Sequence, residues 1–347
     1  MFPHIISPLI VNAPMYGTAT AALAAAVTKA GGFGFIGGGF DFTSSSAQLS
    51  SLEEQLVKAR ELLGLKTLPE SNGKATDSLP IGVGFLTFHN GDASGLIPLI
   101  RRHRPAAVWL FAQAHNQHAS LIKDIKLAGD QWNMKVFVQI GSVQSAIEAA
   151  NDGADVIVVQ GADAGGHQFT SNSSIVALLP EVIDVIENLH KEVSILAAGG
   201  IMDGRGIAAA LALGASGVVM GTRFAATLES EASQATKSVL VSTQDGGIST
   251  VKSVIHDSLQ GRGDLWPVPY DGRAVICDPY KKVLAGKLSV EQATDLQKKA
   301  ASEGNTSGMV VWAGAGVGLI RDIESAGAVV ERSRAETIRI LKYLSKF

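Results

Sequence analysis

The sequence predicts an α/β protein, a (β/α)8 TIM barrel with a smaller inserted lid domain. Over the first 221 residues, eight short apolar runs alternate with stretches of helical periodicity. The runs are continuous rather than alternating, which is typical of parallel strands that helices cover. The chain has 347 residues and is 46% hydrophobic, enough to fill a large core. Eight successive strand–helix units favour a closed barrel, and a doubly wound open sheet is the alternative.

Each predicted strand is a short run of β-branched or apolar residues that ends in glycine or a polar residue. The helical pattern between strands is clear over 143–151, where Val143, Ile147 and Ala150 share one face. The predicted strands are Leu9–Ala13, Phe33–Ile36, Ile81–Phe85, Ala107–Phe111, Val136–Ile140, Val156–Gln160, Ser194–Ala198 and Gly217–Met220.

The stretch 226–305 loses this rhythm and becomes more polar. We predict that it forms a lid or substrate domain, and that 1–225 and 306–347 together form the barrel. Ser249–His256 and Arg273–Cys277 are the strands expected in the lid domain.

Two further helices are expected after these strands. The first covers Glu291–Ala301, and the spacing of Ser289 and Gln292 fits a capping box at its start. The second is the final helix of the chain, over 333–345.

Composition and charge exclude several classes of protein. A formal net charge of −3 argues against nucleic acid or an anionic membrane surface as the main partner. The single cysteine, Cys277, excludes an internal disulfide framework and a cysteine-based metal site. The sequence contains no run of 18 consecutive apolar residues, so no membrane-spanning helix is predicted. We therefore expect a cytoplasmic protein; a peroxisomal location is the alternative, because Ser345-Lys346-Phe347 differs by one residue from the Ser-Lys-Leu address.

Glycines at the ends of the last two barrel strands predict a phosphate site. Gly199 and Gly200 end the seventh strand, a helix is expected to start at Asp203, and Gly221 and Thr222 end the eighth strand. Glycine lets backbone N–H groups approach an anion, and a helix N-terminus adds a favourable dipole. In (β/α)8 barrels the loops after these two strands commonly bind phosphate. The alternative is that the glycines only permit tight turns.

A second glycine pattern, G-x-G-x-x-G over 32–37, does not predict a Rossmann site. That fingerprint follows a strand and opens a helix, whereas here a helix precedes it and Phe33–Ile36 is itself a strand. We expect the glycines at 37–39 to form a tight turn at the top of the barrel.

The sixth strand leads into a candidate catalytic histidine. Gln160 ends the strand, and Gly165 and Gly166 precede His167, which places the imidazole on a loop at the catalytic rim. Imidazole can accept a proton near neutral pH, although a structural role is the usual alternative for a histidine. His115 and His118 have H-x-x-H spacing, but no acidic or cysteine ligands accompany them, so we predict no metal there.

Other barrel chemistries fit less well. A Schiff-base mechanism needs a lysine at the catalytic end of a strand, whereas Lys135 starts its strand. A glycosidase needs two carboxylates at the rim, and Asp163 has no evident partner in the sequence. A histidine facing a phosphate-bearing cofactor remains. FMN fits this description, since it combines one phosphate with a flat ring that can lie across the barrel mouth.

Motifs along almost the whole chain resemble one family. They are Ala13-Pro14-Met15, the glycine-rich 31–39, QGADAGGH at 160–167, AAGGI at 197–201, GRGIAAALALGA at 204–215, MGTRF at 220–224, WPVPYDGRA at 266–274 and WAGAGVGLI at 312–320. The chain is similar to nitronate monooxygenases, formerly called 2-nitropropane dioxygenases. FMN-dependent NADH:quinone reductases and flavin enoyl-[acyl carrier protein] reductases resemble the same pattern.

The resemblance implies an FMN site and a catalytic base. His167 would be the base, and Trp312 and Tyr270 would be walls on the lid side, unless they only fill the core. Gly84 stands where relatives often have a polar flavin contact such as Asn, and Ala315 where many have Gln. The implied cofactor contacts are Ala13, Pro14 and Met15 along the flavin, Gly84 beside them, Gln139 and Gln160 on the ring or ribityl chain, and Gly165, Gly199, Gly200, Gly221 and Thr222 at the ribityl–phosphate end.

The resemblance also implies a reaction. Alkyl nitronates, and nitroalkanes after deprotonation by His167, would be oxidised with O2 to a carbonyl compound and nitrite through a flavin semiquinone. The implied partners are therefore a small nitronate and O2, with no nucleic acid, membrane or metal. The alternatives are an FMN-dependent NADH:quinone or enoyl-thioester reductase, a non-catalytic flavin-binding or sensor protein, and a phosphate-binding barrel without flavin.

Overall fold

The computed structural model describes residues 4–65, 78–88, 94–113 and 118–346. In chain order, its strands are β1 (Leu9–Asn12), β2 (Phe35–Gly39), β3 (Leu79–Leu86), β4 (Pro105–Phe111), β5 (Lys135–Ile140), β6 (Val156–Gln160), β7 (Gly166–Phe169), β8 (Ser194–Ala198), β9 (Gly217–Met220), β10 (Thr250–Lys252) and β11 (Tyr270–Val275).

The helices surround and extend this framework. They are α1 (Ala21–Lys29), α2 (Ala47–Leu62), α3 (Leu96–His103), α4 (His118–Gly129), α5 (Val143–Asn151), α6 (Ile175–Asn188), α7 (Gly204–Ala212), α8 (Thr222–Ala225), α9 (Gln234–Ser242), α10 (Gly246–Ser249), α11 (Ile255–Leu259), α12 (Asp278–Leu284), α13 (Val290–Glu303) and α14 (Ala326–Leu344). Two 3₁₀ helices cover Asp130–Trp132 and Ala315–Leu319. Within the described part of the chain, no helix is both long and apolar enough to cross a lipid bilayer.

Eight strands form one parallel sheet in the order β1-β9-β8-β6-β5-β4-β3-β2. The two outer strands of this order meet, because Val11 forms a parallel bridge with Phe33 and the Phe33 N–H donates to the Ile10 carbonyl at 2.9 Å. The predicted TIM barrel is confirmed. Three predicted strands coincide with β6, β8 and β9, and the others differ at one or both ends by up to three residues.

The side chain of Asn12 also connects the two ends of the sheet. It is fully buried, its Nδ2 donates to the Phe35 carbonyl at 2.8 Å, and its Oδ1 accepts from the Phe35 N–H at 2.9 Å. Inside the barrel, Phe35 contacts Phe33, Trp109 and Phe137 at ring-centroid distances of 5.1, 5.3 and 5.2 Å. Aromatic rings therefore fill the space that the strands enclose.

The turn predicted at 37–39 is wrong, since these glycines belong to β2. Gly37 pairs with Gly84, and the register changes between Gly37 and Gly39. A Cβ on Gly38 would lie 2.4 Å from the Phe85 ring. The glycines are thus explained by close approach of a neighbouring side chain and by an irregular strand end.

A second, antiparallel sheet has the order β10-β11-β7, and we call it the small sheet. Its strand β7 lies at 166–169, whereas the other two strands lie within 226–305. The predicted strand Ser249–His256 is wrong beyond Lys252: Ser253 accepts a hydrogen bond from the Ile255 N–H at 3.2 Å, and α11 follows. The domain limits at 225/226 and 305/306 stay a prediction.

The two later helices form where the sequence places them, with different limits. The capping box of Ser289 and Gln292 is confirmed at the start of α13. Helix α14 begins seven residues before the predicted 333, because Ser325 caps it by accepting from the Ala328 N–H at 3.2 Å.

Candidate active site

The candidate base His167 lies in β7 and not on a loop, which corrects the sequence prediction. After β6 the chain passes Gly166, whose φ of +69° favours glycine, and then pairs antiparallel with β11, placing His167 opposite Gly272. This pairing leads the chain from the catalytic end of a barrel strand into the small sheet. His167 is thus held by a strand ladder at the barrel mouth.

A buried carboxylate contacts the imidazole of His167. Nε2 of His167 lies 2.8 Å from Oδ1 and 3.0 Å from Oδ2 of Asp257, which belongs to α11. The side chain of Asp257 is 5% exposed and that of His167 is 16% exposed. Charge-assisted contacts of this length, shielded from water, hold a ring in one orientation.

Aromatic rings surround the same imidazole. Trp266 stacks on His167 with a centroid distance of 3.8 Å and an interplanar angle of 9°, and Trp312 lies 4.7 Å away at 48°. Tyr270 is buried against Phe111 and Phe169, and burial raises the pKa of its hydroxyl to about 12. Trp312 therefore contacts the candidate base directly, whereas Tyr270 lies behind Trp266, 6.1 Å from it.

A charged group stabilises the small sheet beside the site. Lys252 donates to the carbonyls of Phe169 and Thr170 at 2.7 and 2.8 Å and to Asn172 at 3.1 Å. Its Nζ lies 3.6 Å from Oδ1 of Asp271. Burial raises the pKa of Asp271 and lowers that of Lys252. These contacts connect β7, β10 and β11 and so support the position of His167.

Two glutamines predicted to contact a cofactor occupy different environments. Gln160 Nε2 donates to the His167 carbonyl at 3.1 Å, while its buried Oε1 has no hydrogen-bond partner among the described residues. Gln139 Oε1 accepts from the Trp109 indole at 3.2 Å. A buried amide oxygen without a partner is costly unless a ligand or water satisfies it, so Gln160 is the better candidate for a ligand contact.

The segment after β1 lies against the ends of β3 and β9. The Ala13 N–H donates to the Met220 carbonyl at 3.0 Å. A Cβ on Gly221 would lie 3.6 Å from Ala13 and 3.8 Å from the sulfur of Met15. A Cβ on Gly84 would lie 2.3 Å from the Pro14 ring. Pro14 therefore occupies the space that a side chain at 84 would need.

Glycines bring the ends of β6, β8 and β9 together with the loop at 312–320. Gly199 and Gly200 have φ of +112° and +72°. A Cβ on Gly165 would lie 2.4 Å from the Gly314 nitrogen, and the Gly314 N–H donates to Thr222 Oγ1 at 3.1 Å. The structure thus brings together the residues predicted for the ribityl–phosphate end. In the same loop, the backbone N–H of Ala315 donates to the Asp163 carbonyl at 2.9 Å.

The helix start predicted to face a phosphate is satisfied by the chain's own carboxylates. Asp203 accepts from the N–H groups of Arg205 and Gly206 at 2.9 and 3.3 Å, and Glu336 accepts from the Gly204 N–H at 2.8 Å. These negative charges occupy the N-terminus of α7. The N–H groups of Gly204, Arg205 and Gly206 are therefore already bonded within the protein.

Two other features lie near the rim. A cleft of about 420 Å3 opens between Tyr16 and Phe40 on the barrel side and the loop 261–265, which leads into Trp266.

His118 is buried and its Nε2 contacts the Thr87 hydroxyl at 2.7 Å, while His115 lies outside the described residues.

Comparison with known proteins shows the family of the chain. The family model for nitronate monooxygenase matches residues 3–333. The chain is 42% identical to the nitronate monooxygenase of Neurospora crassa, over 100% of this chain and 93% of that protein. The chain belongs to the nitronate monooxygenase family. It is also 36% identical to nitronate monooxygenase npaC of Metarhizium robertsii, over 98% of this chain and 93% of that protein.

The fold agrees with a solved structure as well. A nitroalkane oxidase from Streptomyces ansochromogenes superimposes with a TM-score of 0.74 at 24% identity, covering 97% of this chain and 98% of that one. At this identity the likeness supports the TIM-barrel fold alone. Family membership confirms the resemblance and makes this nitronate monooxygenase family member an oxidoreductase.

Sequence reasoning missed two of the residues at the site. Asp257 lies 90 positions from His167, and nothing local distinguishes it from other acidic residues near it. Trp266 belongs to the WPVPYDGRA motif, whose aromatic start was a usable signal. Both contacts depend on the placement of α11 and β11 over the barrel, which a local pattern does not predict.

Proposed function

We propose that the protein is an FMN-dependent nitronate monooxygenase, which oxidises alkyl nitronates with O2 to a carbonyl compound and nitrite. The observation that carries this proposal is His167, held by a buried carboxylate and two indole rings at the catalytic end of a barrel from the nitronate monooxygenase family. A positioned imidazole among apolar walls suits proton abstraction from carbon.

The residues present fit FMN. The unpartnered Oε1 of Gln160 offers an acceptor at the end of β6, and the backbone N–H groups at Gly199–Gly200 and Gly221–Thr222 would hold the phosphate. Ala13, Pro14 and Met15 would lie along the ring, Gln139 and Gly165 along the ribityl side, and Gly84 would leave space for Pro14. Bound FMN would supply the redox chemistry.

The role of His167 depends on the form of the substrate. A neutral nitroalkane has to lose a proton from its α-carbon, and His167 would accept it. A preformed nitronate lacks that proton, so it needs the same pocket but no base. The cleft beside Tyr16 and Phe40 is the proposed route of entry, since its loop leads directly to Trp266.

An anaerobic spectrum of the FMN-loaded protein tests the proposal. The protein is mixed separately with ethyl nitronate and with NADH, and flavin absorbance is followed. Reduction of the flavin by nitronate, with none by NADH, is the expected result. Rapid bleaching by NADH with no response to nitronate would instead support the quinone or enoyl-thioester reductase. Nitrite formed per O2 consumed under air is the second measurement.

A further inference from the structure

We propose that Asp257 is a positioning residue that keeps the proton of neutral His167 on Nε2, so that Nδ1 is the atom that accepts the substrate's proton. The inference deepens the proposed function and rests on it for the identity of the substrate. It assigns a role to a residue of α11 that no pattern in the sequence singles out.

The contact with Asp257 points to one ring nitrogen as the protonated one. An ionised carboxylate only accepts hydrogen bonds, and both oxygens of Asp257 lie within 3.0 Å of Nε2. Nε2 must therefore donate, which leaves the lone pair of the neutral ring on Nδ1. Among the described residues, no hydrogen bond to Nδ1 is found. The 16% exposure of the His167 side chain leaves part of it accessible, whereas Asp257 is 5% exposed.

The other charged groups near His167 do not replace Asp257. His256, its neighbour in α11, bonds the Val251 carbonyl through Nε2 at 3.1 Å, and burial lowers its pKa. His167 pairs with Gly272 of β11, and Asp271 and Arg273 are the neighbours of Gly272 in that strand. Because successive residues of a strand point to opposite faces, the side chains of Asp271 and Arg273 lie on the face of the small sheet opposite to His167. Lys252 is bonded to β7 carbonyls and lies 3.6 Å from Asp271. Asp257 is thus the carboxylate in contact with the imidazole in the described part of the chain.

The indole rings restrict rotation of the imidazole. Trp266 covers one face of His167 at 3.8 Å, nearly parallel, and Trp312 contacts it at 4.7 Å. A 180° flip of the ring would bring Cε1 to the present position of Nε2 and so break both contacts with the Asp257 carboxylate. The two nitrogens therefore have separate tasks, one for the carboxylate and one for substrate.

The proposed step balances as a proton transfer. The α C–H bond of the nitroalkane breaks, its electron pair stays on the carbon and nitro group as the nitronate, and the proton binds Nδ1. The resulting imidazolium carries N–H groups on both nitrogens, and the Asp257 carboxylate stabilises its charge across the Nε2 contact.

A kinetic test uses the variant Asp257→Asn. The control is Asp295→Asn, which makes the same acid-to-amide change at an exposed position of α13. The carboxamide presents an oxygen or an NH2 group and no longer fixes the tautomer. We expect kcat/KM for nitroethane to fall at least about tenfold, but by less than the roughly 10⁴-fold that a general base contributes at most. For preformed ethyl nitronate we expect a change below about threefold. Equal losses on both substrates, or no loss, would contradict the inference.

A second test reads the tautomer without substrate. The FMN-loaded protein is labelled with ring-15N histidine, His167 is assigned by its loss in His167→Asn, and spectra are recorded at about pH 8.5, above the ordinary pKa of imidazole. A proton on Nε2 alone in the wild type and mixed tautomers in Asp257→Asn support the inference. A proton on Nδ1, or on both nitrogens, would overturn it. If the tautomer is as expected but nitroethane and nitronate are not consumed, the proposed function fails while the positioning role stands.

Discussion

Substitution of Asn12 would test how the barrel closes. Asn12→Ala removes the Nδ2 donor to the Phe35 carbonyl, the Oδ1 acceptor of the Phe35 N–H and a 3.1 Å bond to the Ala13 carbonyl. Phe35 and Asn12 are both fully buried. Leaving a buried polar group without a partner costs about 1–3 kcal/mol, so the two Phe35 groups together predict a loss of about 2–6 kcal/mol.

The assay is equilibrium unfolding in urea, followed by far-UV circular dichroism, with Asn151→Ala as the matched control. Asn151 is exposed at the end of α5, so its replacement should change the free energy of unfolding by less than about 0.5 kcal/mol. If Asn12→Ala is as stable as Asn151→Ala, the side chain does not close the barrel and the reasoning is refuted. The adjoining segment Ala13–Met15 should also retain FMN less well in Asn12→Ala, because Ala13 loses one of its contacts.

Three further predictions concern the cofactor site and acid stability. Gly200→Ala places a Cβ 3.0 Å from that of Asp163 at a φ of +72°, whereas its control Gly286→Ala has a similar φ of +63° and open space around the new Cβ. We expect FMN affinity, measured by flavin fluorescence quenching, to fall about tenfold in Gly200→Ala only, which is equivalent to about 1.4 kcal/mol. Equal FMN affinities of the two variants would contradict this prediction. Gln160→Leu removes the unpartnered Oε1, so FMN should dissociate more readily on gel filtration than from wild type, and unchanged retention would exclude a flavin contact. Burial lowers the pKa of His118 from 6.5 to about 4. Between these two pH values the unfolded chain binds a proton at His118 that the folded protein does not bind, so the free energy of unfolding should fall as pH falls from about 6.5 to about 4. His118→Gln should reduce this fall in urea midpoints, and an identical pH dependence would show that His118 does not cause it.

The barrel was predictable because its strands are buried on both faces. Val156–Gln160 and Ser194–Ala198 are continuous apolar runs between clear turns, and their limits agree with the structure. The strand β7 has four residues and contains a glycine and a histidine, so its sequence carries no strand pattern. It forms because β11 offers a partner, and β11 lies about a hundred residues further along the chain.

The candidate site was predictable from sequence only where glycine and histidine mark it. His167 was found from the glycines before it, but its partner Asp257 was not, because tertiary packing of α11 creates that contact. Likewise, the sequence shows a glycine at 84 but not that Pro14 fills its space. The location of the protein in the cell stays a prediction.

The most direct test of the account compares His167→Asn with wild type on nitroethane and on preformed ethyl nitronate, at equal FMN content. His190→Asn is the matched control, since His190 is exposed and its φ of +52° suits Asn. We expect kcat/KM for nitroethane to fall about 10²–10⁴-fold in His167→Asn, with a much smaller loss on nitronate and none in His190→Asn. Equal losses on both substrates, or unchanged turnover of nitroethane, would contradict the assignment of His167 as the base.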